Sequence, residues 1–167
     1  ERKNQALLIE AFKEIANDVK AIIVLIGEGD LIKDLKGKTR KVGIDKMVKF
    51  YGYKKMADQY IKYLDLLVLP SLSEGLPITV LEGFREKTPV LGSDIPEIEE
   101  IINHNCNGYL FKSNDVKSLK NMIYRILNNL ESDKEEVVEK AYKSYENQFK
   151  LNIMINKYLE LYQQLLK

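Results

Sequence analysis

Asp65-Leu66-Leu67-Val68-Leu69-Pro70-Ser71-Leu72-Ser73-Glu74-Gly75-Leu76-Pro77-Ile78-Thr79-Val80-Leu81-Glu82 is the stretch whose reading sets the architecture. Leu66 to Leu69 form a short apolar strand that stops at Pro70. A turn of Ser, Glu and Gly follows. Pro77 then opens a helix reaching residue 86, since proline suits the first helical position, where its missing N–H costs nothing. The same order of strand, turn and helix recurs on both sides. Upstream, residues 4–19 place Leu7, Leu8, Ala11, Phe12 and Ile15 at helical spacing. The continuous run at 21–26 reads as a parallel strand buried on both faces. Residues 30–42 read as a helix, 47–51 as a strand and 57–64 as a short helix. Downstream come a strand at 89–92, a helix at 96–103, a strand at 108–111 and three helical segments from residue 115, the last at 152–166. Alternating strands and helices predict an α/β fold, a parallel sheet with helices on both faces. Ligands of such sheets gather at the carboxyl ends of the strands. The loops to inspect are therefore 27–30, 52–55, 70–77 and 92–96.

The bulk properties exclude several classes. At 167 residues the chain has the length of one domain. Its 45% hydrophobic and 31% charged residues suit a globular protein. No stretch approaches the ~20 apolar residues of a membrane span, and the first residues lack a signal peptide's apolar run. The single cysteine, Cys106, excludes an internal disulfide framework and a multi-cysteine zinc site. With 26 basic and 25 acidic residues no global field recruits nucleic acid, so the expectation is a cytoplasmic protein without a nucleic-acid partner. The chain opens on a helix where a doubly wound domain usually opens on a strand. It is therefore expected to be a piece of a longer protein.

The turn before the second-half helix carries the chemistry. The amides of Ile78 and Thr79 are expected to be free donors at the positive end of a helix dipole, an anion site suited to phosphate. The Thr79 hydroxyl adds a donor. Glu74 lies in the loop before the helix and Glu82 within it, so a bound anion would have one carboxylate on each side. Carboxylates only accept hydrogen bonds, so each suits a hydroxyl-rich group. Two such groups joined by phosphate describe a nucleotide sugar.

These residues resemble the E-x7-E motif of retaining glycosyltransferases of the GT-B fold, especially glycosyltransferase family 4. Five further landmarks agree in order: residues 2–12 resemble the family's first donor-domain helix, Ile26-Gly27-Glu28-Gly29-Asp30 its glycine loop, and Phe50-Tyr51-Gly52-Tyr53 the strand before its base-binding loop. Thr88-Pro89-Val90 and Asn107-Gly108-Tyr109-Leu110-Phe111 resemble later signatures. The resemblance implies a Rossmann-like three-layer sandwich, one half of a GT-B fold, with residues 1–167 forming the nucleotide-sugar (donor) domain. It further implies a donor such as a UDP- or GDP-sugar, retention of anomeric configuration, no metal (no Asp-x-Asp pair is present) and a role in cell-surface polysaccharide or glycolipid synthesis. Lys3 would contact the diphosphate. Glu74, the catalytic position, would face the sugar hydroxyls in a positioning role rather than as a nucleophile. The backbone of Gly75, Leu76, Pro77, Ile78 and Thr79 would hold sugar and phosphate, Glu82 the ribose diol, and Gly27, Gly29 and Tyr53 the remaining donor surface.

The resemblance also implies what this stretch lacks. The family's first strand, with a phosphate-binding arginine, and the N-terminal acceptor domain would lie upstream of residue 1. The 1–167 piece alone is therefore expected to bind donor with a Kd of about 1 mM and to transfer no sugar. Membrane contact at the inner face would run only through the missing half. The apolar spacing of Phe149, Ile153, Ile155, Tyr158, Leu159, Tyr162 and Leu165 points to a last helix that packs on its own domain, or that self-associates once its partner is gone. Lys87, where the family often has glycine, is expected to be left-handed. His104 reads as a surface residue, Cys106 as inert, and at least one of Tyr51 and Tyr53 as packing. Two other readings are a receiver-type signalling module, against which Asp65 stands at the wrong end of its strand, and a GT-B-like sugar-nucleotide epimerase relying on His104.

Overall fold

A computed structural model describes residues 2–128 and 131–166. In chain order the elements are α1 (Gln5–Lys13), β1 (Ile23–Ile26), α2 (Ile32–Lys41), β2 (Val48–Gly52), β3 (Leu67–Leu69), α3 (Ile78–Arg85), β4 (Val90–Ser93), α4 (Pro96–Glu99), β5 (Tyr109–Phe111), α5 (Val116–Asn128), α6 (Glu131–Ser144) and α7 (Leu151–Leu165). A 3-10 helix at Ala57–Tyr63 takes the place of the short helix expected there, and a π-turn at Tyr145–Phe149 joins α6 to α7. The first helix is shorter than its apolar spacing suggests. Past Lys13 the chain runs in tight turns through Asn17 and Asp18, residues that compete with helical hydrogen bonds, while Ile15 and Val19 still sink into the core.

Every strand pair is parallel, as expected, but the expected single sheet comes in two pieces: β1 with β2, and β3-β4-β5. Strand alternation sends neighbouring residues to opposite faces. Leu67, Leu69, Val90 and Leu110 join Val80 and Phe84 of α3 and Ile98 of α4 in one core. Leu66, Val68, Leu91, Tyr109 and Phe111 join α1 and the α5 residues Leu119, Ile123 and Ile126 in the other. The result is a three-layer α/β sandwich. Gly83 sets how near α3 approaches: a Cβ there would lie 2.5 Å from Val90 Cγ2 and 2.9 Å from Leu67 Cδ2. That close packing fixes the N-terminus of α3 beside the carboxyl end of β3.

Lys87 follows α3 with φ of 54°, the left-handed conformation expected of it. Its Nζ donates to Glu139 at 3.0 Å and lies 4.4 Å from the centre of the Tyr142 ring. The backbone strain costs a side chain about 1 kcal/mol, and the exposed contacts offset a similar amount. Lys87→Gly is therefore expected to match the parent in urea denaturation within about 1 kcal/mol, while Lys87→Ala, which keeps the strain and loses the contacts, falls about 1 kcal/mol below the glycine variant. Equal stabilities would show that the left-handed turn is unstrained.

Two packing expectations change. Tyr51 and Tyr53 are both exposed, at 54% and 69%, because β2 turns Val48 and Phe50 inward and Tyr51 falls in the register shift opposite Leu25 and Ile26. The α7 helix does not pack on its own domain: Leu151, Met154, Ile155, Tyr158, Leu159 and Tyr162 are all exposed. Its predecessors Tyr145 and Phe149 supply the last contacts with the core. Among the described residues no helix is long and apolar enough to cross a membrane.

Candidate functional site

The site is built on the turn between β3 and α3. Past Pro70 the chain is pinned twice. The buried Ser93 hydroxyl, at the end of β4, donates to the Ser71 carbonyl at 2.6 Å. The Leu72 N–H donates to the Arg2 carbonyl at 2.9 Å, which ties the turn to the segment entering α1. This second tie brings Lys3 over the loop. Lys3 Nζ donates to both carboxylate oxygens of Glu74, at 2.8 and 2.9 Å. The Glu74 side chain is 6% exposed and that of Lys3 52%. Burial pushes the Glu74 carboxyl up, but the Lys3 hydrogen bonds, the nearby Ser71 hydroxyl and the charges of Lys3 and Arg2 together hold it below its ordinary value.

Pro77 is not the first helical residue but the one before it, with φ −77° and ψ 68°. These are the angles of an inverse γ-turn, which closes a hydrogen bond between the residues on either side. The Ile78 N–H accordingly donates to the Leu76 carbonyl at 2.8 Å. The expectation of a free Ile78 amide is thus corrected, because the Pro77 turn satisfies it internally. Among the described residues, the N–H groups of Gly75, Leu76 and Thr79 have no protein acceptor.

Glu82 lies one turn into α3, half-buried, and its carboxylate has no hydrogen-bond partner among the described residues. The obvious candidate, Arg85, is committed elsewhere: its Nη2 donates to Asp58 at 2.9 Å and its Nε to Glu86 at 2.8 Å. Burial raises the Glu82 carboxyl and the charge of Asp58 raises it further; Arg85 lowers it only in part. Lys3, Ser71, Thr79 and Glu82 all line the upper end of one groove of about 980 Å³.

The other expected donor residues stand apart from that groove. Gly27 and Gly29 lie in the exposed loop after β1, where Gly27 takes φ of 135° and donates its N–H to the Gly52 carbonyl at 2.8 Å. A Cβ at either glycine would meet nothing within 4 Å, so the space above this loop is open. Tyr53 follows β2 with its ring in solvent. Neither rival reading gains a site. His104 is exposed, as expected, and accepts the Leu110 N–H on Nδ1 at 2.9 Å; partial desolvation and then the Arg125 charge lower its pKa. Asp65 precedes β3 instead of ending it. Sequence reading missed Ser71, Ser93, Asp58 and Arg85. The two small serines around strand ends were the available signal for the first pair; nothing local signals the second.

The sandwich with a ligand-sized opening at its strand ends is the fold of one lobe of the two-lobed GT-B enzymes. Solved structures carry the same chain trace. The Anabaena protein HepE, solved in complex with UDP and glucose, superposes with a TM-score of 0.90 at 20% identity, covering 98% of this chain and 45% of that one. The C-terminal domain of the group 1 glycosyl transferase LpcC from Francisella tularensis superposes with a TM-score of 0.80 at 23% identity, covering 90% of this chain and 81% of that one. Residues 1–144 match the family described as glycosyl transferases group 1, and the chain belongs to that family. Among curated relatives, the amylovoran biosynthesis glycosyltransferase AmsK of Erwinia amylovora is 29% identical over 174 aligned residues, covering 99% of this chain and 42% of its own length. The chain spans less than half the length of such relatives.

Proposed function

We propose that this chain is the donor-binding half of a retaining glycosyltransferase, and that the β3–α3 turn holds a nucleoside-diphosphate sugar. One observation carries the reading: Lys3, Thr79 and Glu82 line one groove, Glu74 is hydrogen-bonded to Lys3, and among the described residues the Thr79 N–H and the Glu82 carboxylate have no protein partner. The pyrophosphate sits between the Lys3 ammonium and the N–H groups of Gly75, Leu76 and Thr79. Three donors on the ammonium allow Lys3 to serve both the anion and Glu74. Glu74, held ionised by that contact, accepts hydroxyls of the donor sugar and orients its anomeric carbon. Glu82 accepts the ribose diol, and the Gly27–Gly29 loop and Tyr53 close on the rest of the donor. Positive charge for the departing diphosphate comes from Lys3 and the α3 N-terminus, which makes a metal unnecessary.

The relatives support a role in surface polysaccharide or glycolipid assembly, since AmsK is named for amylovoran synthesis. The acceptor would bind on a second domain, N-terminal to this one, and the uncovered apolar face of α7 is the surface for that domain or for a second copy of the chain. Half a cleft neither orients an acceptor nor excludes water, so residues 1–167 alone turn over no sugar. Saturation-transfer NMR against a panel of nucleosides, nucleoside diphosphates and their sugar conjugates tests the reading. Diphosphates are expected to bind with a Kd of about 1 mM, and Lys3→Ala to weaken them about tenfold while leaving plain nucleosides unchanged. Absence of binding across the panel, or equal losses for nucleosides and diphosphates, would overturn it.

A further inference from the structure

Glu82 and Arg85 stand at the i, i+3 spacing at which opposite charges on a helix ordinarily meet, with Glu86 one residue further on. Here they do not meet. Among the described residues Arg85 is held from two other sides. Its Nη2 donates at 2.9 Å to Asp58, in the 3-10 helix at Ala57–Tyr63, and its Nε donates to Glu86 at 2.8 Å. Arg85 thus acts on Glu82 through its charge and not through a hydrogen bond. Asp58 lines the groove beside Glu82, while Arg85 lies outside it. The Asp58–Arg85 pair does little to hold the fold. Its side chains are 31% and 38% exposed, and an ion pair so placed contributes little to stability. The 3-10 helix is tied to the chain beyond α3 separately, by the buried Thr88 hydroxyl donating to the Ile61 carbonyl at 2.9 Å. The state of Glu82 agrees. Burial and then the Asp58 charge hold its carboxyl above the ordinary value, where direct pairing with Arg85 would hold it below.

We propose that Asp58 is a positioning residue for the ribose end of the site: by holding the Arg85 guanidinium it keeps that cation from closing on the Glu82 carboxylate, and so makes the site prefer ribonucleotides to their 2′-deoxy forms. This role rests on the donor reading of Glu82. A guanidinium only donates and a carboxylate only accepts, so a Glu82 paired with Arg85 would commit its lone pairs to that fork. Ribose hydroxyls would then compete with a partner that is always charged. Left free, the carboxylate offers both oxygens to the diol. Glu86 does not replace Asp58, because it takes only Nε and leaves the outer nitrogens of Arg85 able to turn. The charged groups around Glu82 are Asp58 from the 3-10 helix, Arg85 and Glu86 from α3 and its end, and Lys3 on the same groove. Of the two cations, Lys3 is engaged by Glu74, so Arg85 is the one that Asp58 has to restrain.

The test has two readouts, and the first needs no nucleotide. Carboxyl-carbon NMR follows the Glu82 titration midpoint in the parent, Asp58→Ala, Arg85→Ala and the double variant. Asp58→Ala is expected to lower the midpoint, because a negative neighbour is lost and Arg85 turns to Glu82. Removing Arg85 is expected to raise the midpoint more in the Asp58→Ala background than in the parent, and that excess reports the new pair. The second readout is ligand-observed NMR. Asp58→Ala is expected to bind the best nucleoside diphosphate about tenfold more weakly and its 2′-deoxy form almost as before, and the double variant to recover most of that loss. Asp58→Glu, which keeps the carboxylate, is expected to retain the preference for ribose. An equal effect of Arg85 removal in both backgrounds would overturn the proposal. So would equal losses for the two sugars without recovery in the double variant, the behaviour of a residue that only shapes the fold. A parent that binds both sugars alike would instead remove the ribose role of Glu82, and the nucleotide-free midpoints would still decide whether Asp58 keeps Arg85 away.

Discussion

Phe84→Ala is expected to lower the unfolding free energy by about 3–5 kcal/mol, a large share of the roughly 5–15 kcal/mol that holds a domain together. Phe84 is completely buried, in one cluster with Val80, Val90, Leu69, Ile98 and Ile102. The α3 helix has eight residues, well below the ~12–15 at which a helix persists alone, so its position depends on this packing. Gly83, pressed against Val90 and Leu67, leaves no room for the helix to collapse into the cavity. Urea denaturation should show the midpoint falling with the slope unchanged. A loss below about 1.5 kcal/mol would mean that the helix is held by something other than its apolar face. Because the same helix presents Thr79 and Glu82, the variant is also expected to bind nucleoside diphosphates more weakly at temperatures where it is still folded.

Glu82→Ala is expected to weaken the best-binding nucleoside diphosphate about tenfold or more, and its 2′-deoxy form much less. A hydrogen bond to a charged acceptor is worth about 1.5–3 kcal/mol, and 1.4 kcal/mol is a factor of ten. The removed carboxylate has no protein partner among the described residues, so no internal hydrogen bond with them is broken and the loss reports the ligand contact. The discrimination has a pH signature. Burial and the Asp58 charge raise the Glu82 pKa above its ordinary value of 4.5. The diol acceptor is the ionised form, so affinity is complete above the raised pKa and falls as pH drops through it. The 2′-deoxy ligand and the alanine variant should lack that component. Equal losses for the two sugars, measured by ligand-observed NMR, would remove Glu82 from the ribose role.

Much of this molecule was legible locally. The runs at 21–26, 66–69 and 89–92 gave strands within a residue or two of β1, β3 and β4, because an apolar run bounded by Gly or Pro is a local signal. The parallel arrangement followed from helices placed between those strands. The loop bearing Glu74 and the helix bearing Glu82 were legible for the same reason. The Ile78 amide was not, because its fate depended on the ψ angle of Pro77. Proline fixes φ but leaves ψ free, and here the Leu76 carbonyl is turned back onto Ile78.

Hydrophobic periodicity by itself determined the order of strands and helices and put two acids around a helix start, since each of these rests on neighbours a few residues apart. Tertiary structure alone decided the partners. Lys3 reaches Glu74 across 71 positions of sequence, and Arg85 takes Asp58 across 27, which leaves Glu82 unpaired among the described residues. It also left a slot between β1 and β3 where one sheet was expected. Charges and strand edges choose among all groups that packing brings within reach, and chain-neighbour patterns do not encode that distance.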